Sequence, residues 1–160
     1  MTRVQKLLEA YESQSEEEAD TLTVAIQDWT ADPLPMADPC PFCNPPADRI
    51  VDETRLVIAL RDGYPVSAGH TLVIPRRHVG SFFDTTPAER AEILDAVARV
   101  KQVLDEQHAP LAYNVGINDG PAAGQTIAHC LVHVIPRYAG DVDDPRGGVR
   151  WVIPSKARYW

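Results

Sequence analysis

Three groups of side chains in this 160-residue chain have the types and spacing to do chemistry. The first is a turn-rich loop, Asn118-Asp119-Gly120-Pro121-Ala122-Ala123-Gly124-Gln125-Thr126, whose glycines and proline let the backbone come close to a ligand. It runs into His129-Cys130-Leu131-Val132-His133-Val134, which alternates as a strand does. That period of two predicts His129, Leu131 and His133 on one face, and Cys130, Val132 and Val134 on the other. Free amides leading into imidazoles suit a phosphorylated ligand. Two structural histidines in a hairpin are the plainer alternative. The second group is Cys40-Pro41-Phe42-Cys43, where two thiols at this spacing can share a tetrahedral zinc ion once two more ligands are found. A thioredoxin-type redox site is the rival, but Asn44-Pro45-Pro46 follows where that motif needs a helix start. The third is Asp62, before Gly63. Its carboxylate is a good acceptor for a vicinal diol and equally a turn-stabilising group.

Composition narrows the partners. A formal charge of −8 and a pI near 5.0 argue against nucleic acid or an anionic membrane. No apolar run approaches the roughly 18 residues of a membrane span, and no signal peptide opens the chain. An odd count of cysteines (Cys40, Cys43 and Cys130) fits a reducing cytoplasm better than a disulfide framework.

Several elements must position these groups. Residues 1–39 read as a helical extension followed by a proline-rich linker, and 40–160 as the ligand-binding domain. Within the extension, Val4, Leu7, Leu8 and Tyr11 form one stripe and Leu22, Ala25, Ile26 and Trp29 a second. Arg55 to Leu60 and Thr71 to Ile74 read as a hairpin, and Leu111 to Ile117 as a third strand. Thr86-Pro87-Ala88-Glu89 is a capping box, predicting a helix with Ile93, Leu94, Val97, Val100 and Leu104 on its apolar stripe and an end before Pro110. His70 reads as a buried structural group bonded to the backbone. In the tail, Arg137, Arg146 and Arg150 are either phosphate partners or ordinary surface arginines.

The run from Asn118 to Arg137 resembles the signature of the histidine triad (HIT) superfamily, His-x-His-x-His after Gly-Gln-Thr/Ser. It is most similar to the branch holding the fragile-histidine-triad and bacterial dinucleoside polyphosphate hydrolases. The resemblance implies an α+β fold, with an antiparallel sheet, one long packed helix and a symmetric dimer whose tails reach the partner's pocket. It implies a structural zinc held by Cys40, Cys43, His78 and His129. It places ribose at Asp62 and the rest of a nucleotide at Asn118, Gly124, Gln125, Thr126 and His133. Those relatives cleave the α-phosphate through a nucleotidyl intermediate on the middle histidine. In this chain that position is Leu131, which has neither lone pair nor proton to offer. His133 lies two residues on, roughly 6–7 Å along a strand. Two functions stay open. One is a nucleotide-binding protein without the covalent step. The other is a hydrolase or transferase that uses a different nucleophile or direct attack by water.

Overall fold

The computed structural model describes residues 40–160, so the expected helices and linker of 1–39 lie outside the described residues. Five antiparallel strands form one sheet: β1 (Ile50–Glu53), β2 (Val57–Arg61), β3 (Thr71–Pro75), β4 (Ala112–Gly116) and β5 (Val132–Arg137), in the order β1-β2-β3-β5-β4. One long helix, α1 (Pro87–His108), packs on it, and a short α2 (Pro154–Ala157) lies in the tail. The α+β class follows. Among the described residues no helix is long and apolar enough to cross a membrane.

The period of two divides the sheet into two apolar layers. Val57, Ala59, Val73, Val132 and Val134 meet Ile93, Ala96, Val100 and Leu104 of α1. Ile58, Leu60, Leu72 and Ile74 point the other way and pack with Phe42. Both layers are buried, so β2 and β3 have almost no exposed side chain. Each such residue contributes about 1.5–3 kcal/mol of burial. The second layer is the floor on which the candidate site stands.

Helix α1 begins as its sequence dictates. Thr86 accepts from the Glu89 amide, the Glu89 carboxylate accepts from the Thr86 amide, and Pro87 occupies the first turn. It ends at Ala109, in the left-handed region at φ 45°, before Pro110. One expected stripe residue is misplaced. Leu94 is 65% exposed and Ala96 is buried instead, because the contact line steps from Ile93 to Ala96 to Val100 and turns Leu94 toward solvent.

Strand boundaries also move. β2 starts at Val57, since the Thr54 hydroxyl accepts from the Leu56 and Val57 amides and makes residues 54–56 a turn. β1 was not expected. Its polar Asp52 and Glu53 sit on a short edge strand with a register shift, where charge guards against pairing with other chains. Asp52 is held by Arg99 of α1 at 2.9 Å.

Candidate functional site

At one end of the outer layer, four side chains from three separate segments converge. Cys40 and Cys43 lie in a tight turn closed by the Cys43 amide on the Cys40 carbonyl. His78 follows β3 and His129 precedes β5. Cys40 Sγ is 3.5 Å from His129 Nδ1, Cys43 Sγ is 3.9 Å from the same nitrogen, and Cys43 Sγ is 3.2 Å from His78 Nδ1. All four donor atoms lie within 4.8 Å of one another.

His129 is fully buried, and its Nε2 lies 2.9 Å from the Pro75 carbonyl. A carbonyl only accepts, so Nε2 carries the proton and Nδ1 turns a lone pair toward the thiols. Burial also pushes the imidazole pKa down, keeping it neutral. The donor set fits a tetrahedral ion, whose S···N edge is about 3.6 Å at ordinary zinc bond lengths. With four protein donors, none of its positions is left for water.

The motif strand begins at Val132, not at His129, so only His133 of the expected face lies in β5. The backbone before it is engaged elsewhere. The Cys130 amide donates to the Val79 carbonyl, and the His129 amide to the Ile127 carbonyl. The alternation survives all the same. Cys130, Val132 and Val134 are buried, and Leu131 packs against the outer layer.

Beside the cluster is a cavity of about 310 Å³, lined by Asp62, Asn118, Gly124, Gln125, Thr126, Leu131 and His133. The structure thus brings every candidate nucleotide residue to one place. Gly120 and Gly124 take φ of 88° and 89°, a backbone that L side chains rarely adopt. Gln125 shapes this loop from within. Its Oε1 accepts from the Gly120 amide at 2.7 Å, and its Nε2 donates to the Gly80 carbonyl at 2.8 Å and to the Ile127 carbonyl at 3.1 Å. Of its two expected roles, Asp62 shows the turn-stabilising one. It lines the cavity, and its Oδ1 also caps the turn by accepting from the Tyr64 amide at 2.9 Å.

His70 is more connected than a backbone-bonded structural group. Its Nδ1 is 3.2 Å from Asp62 Oδ2 and 3.4 Å from the Val66 amide nitrogen, and its Nε2 is 3.0 Å from His133 Nδ1. Burial lowers the pKa of both imidazoles, against the pull of Asp62, so both rings are kept neutral.

Sequence reasoning missed Arg49, which also lines the cavity. It donates twice to the Arg61 carbonyl and lies over Gly63, where an added Cβ would come within 3.3 Å of its guanidinium. No spacing in the sequence signals it. The tail arginines are engaged within the chain: Arg137 with Asp141 and Asn114, Arg146 with Asp144, and Arg150 with the Lys156 and Ala157 carbonyls. None of the three lines the cavity.

Comparison with known proteins adds to this geometry. The family model for the HIT domain matches residues 46–140. The chain is 38% identical over 100 residues to the asymmetrical bis(5'-nucleosyl)-tetraphosphatase of Schizosaccharomyces pombe, covering 62% of this chain and 55% of that protein. It is 37% identical over 95 residues to the AP-4-A phosphorylase of Mycobacterium tuberculosis, covering 59% of this chain and 49% of that protein. The chain therefore spans about half the length of these two relatives. Among solved structures, a HIT family protein from Bacillus anthracis superposes with a TM-score of 0.61 at 34% identity, covering 66% of this chain and 78% of that one. A zinc-bound histidine triad family protein from Mycobacterium smegmatis gives 0.58 at 32% identity, covering 74% and 93%.

Proposed function

Because this chain belongs to the HIT family, we propose that it binds a nucleoside phosphate in the 310 Å³ cavity without forming a nucleotidyl-histidine intermediate. One observation carries the reading. Between two histidines, Leu131 offers the cavity only carbon, and the lone pair of His129 faces sulfur. Asp62 receives the ribose hydroxyls, while Asn118, Gly124, Thr126 and His133 receive the phosphate, with Gln125 holding the loop that carries them. The names of the yeast and mycobacterial relatives support a dinucleoside polyphosphate as the ligand class.

Zinc is proposed at Cys40, Cys43, His78 and His129. When bound it cross-links three segments of the chain and neutralises the thiolates, a structural role. A symmetric dimer is proposed along β4, an edge strand with Leu111 and Val115 exposed beside it. A reducing, cytoplasmic setting suits the free thiols. Calorimetry with AMP tests the central assignment: saturable binding is expected, and its absence overturns the pocket. Elemental analysis should find one zinc per chain, and sedimentation a dimer.

A further inference from the structure

The cavity has a charge that ribose and phosphate leave unused. Among the described residues lining it, Arg49 alone carries a full positive charge, since burial keeps His133 neutral. One edge of the Arg49 guanidinium is committed. Nε and Nη2 each donate to the Arg61 carbonyl, at 2.9 and 2.7 Å. The other edge, the parallel N–H fork of Nη1 and Nη2, has no partner among the described residues. Gly63 shows how the plane lies. A Cβ there would stand 3.3 Å from Nη2, 3.4 Å from Nη1 and 3.5 Å from Cζ. An atom in line with the fork would be about a bond length farther from Cζ than from the two nitrogens. The guanidinium therefore lies flat over Gly63, which covers its face and leaves the fork open.

Position decides what the fork meets. His133 stands on β5 and Arg61 on β2, with β3 between them, so the two backbones are two strand spacings apart, roughly 10 Å. A phosphate resting on His133 is thus beyond hydrogen-bond reach of the guanidinium. Consecutive residues set the order at the other end. Arg61 holds the guanidinium, Asp62 is the proposed ribose acceptor, and Gly63 lies under the guanidinium plane. A nucleotide laid across the sheet, with phosphate at β5 and ribose at Asp62, brings its base to Arg49. Pro41, Phe42 and Leu72 line the same cavity and offer carbon to the faces of a purine.

We propose that Arg49 selects the base, and that the base it selects is a 6-oxopurine, guanine or hypoxanthine. The inference rests on the nucleotide pocket proposed above. A 6-oxopurine turns two adjacent acceptors, O6 and N7, toward the fork, and each takes one N–H. Adenine presents N7 beside its N6 amino group, so donor meets donor at one tine. That tine then loses its water and gains no acceptor in exchange, which is how a site built for hydrogen bonds rejects the wrong ligand. Arg49 is a specificity residue here and takes no part in bond breaking.

Calorimetry on the full chain with GMP, IMP and AMP tests this, because the three share ribose and phosphate and differ only on the purine edge. GMP and IMP should bind alike, and both about tenfold or more tighter than AMP, the discrimination of a bidentate arginine. Arg49→Met keeps the stem and should bring the GMP-to-AMP affinity ratio near one. Arg49→Lys keeps the charge but loses the fork, so it too should lose most of the preference. Melting temperature and zinc content show that each variant is folded, and the comparison of IMP with AMP needs no variant at all. Equal affinity for GMP and AMP in the unmodified chain overturns the proposal and leaves the pocket standing. So does a preference that survives in folded Arg49→Met, which puts selection elsewhere. IMP that binds like AMP also overturns it, since the 2-amino group and not O6 is then read. If none of the three nucleotides binds, the pocket falls and this inference with it.

Discussion

His129 and His133 are four residues apart on the same stretch of chain, yet they turn opposite nitrogens to opposite tasks. His129 is tied through Nε2 to the Pro75 carbonyl, so Nδ1 meets the thiols. His133 is tied through Nδ1 to His70, so Nε2 is left for the cavity. What separates a thiol-facing imidazole from a cavity-lining one is here the partner on the far side of each ring. Residue type does not distinguish them: His129 lies three residues before β5 and His133 within it, and each meets a different partner.

The largest effect should come from the metal side of the comparison. His129→Ala removes a buried donor and its carbonyl bond together, and should cost about 3–5 kcal/mol, as for other large buried rings. Urea unfolding measures it, with zinc content falling in parallel. Leu104→Ala, in the inner layer, should cost a similar about 2–5 kcal/mol but leave AMP affinity and zinc content unchanged. If it perturbs them, the two layers are not separable. On the cavity side, Asp62→Ala should weaken AMP binding by about 1–3 kcal/mol, the loss of charged hydrogen bonds, with zinc retained.

The smallest effect is an acid limb of stability away from both sites. The hydrogen bonds of Arg77 first, and of Thr86 next, hold the Glu89 carboxyl at about 2, below its ordinary 4.5. A depressed folded-state pKa stabilises fully above pH 4.5, and that contribution drains away as pH falls toward 2. Thermal melts across this window should show the loss, and Glu89→Gln should flatten it.

The chain displays some of this plainly and hides the rest. The α1 capping box is legible because Thr86, Pro87 and Glu89 bond only to one another. The four metal-cluster residues and the cavity residues were legible as motif positions, and the fold brings each set together. The start of β5 was not, since it depends on Val79 and Gly80, about 50 residues upstream of the amides and side chains that reach them. Nor was the Asp62–His70–His133 cluster. Its members read individually as turn, structural and phosphate groups, and the last contact joins residues 63 apart. Leu94 failed for a subtler reason: periodicity fixes a helix face only to within about one residue's rotation, and here the sheet chose Ala96.

The claim that sets this chain apart is that it handles a nucleotide with no covalent intermediate, and intact-protein mass spectrometry tests it most directly. The chain is mixed with diadenosine tetraphosphate, sampled over milliseconds to minutes and quenched in conditions that preserve phosphoramidate bonds. The unmodified protein should show no adenylylated species at any time. Leu131→His, close to leucine in volume and directed at the same cavity, should accumulate one. An adenylylated adduct on the unmodified chain would contradict the account.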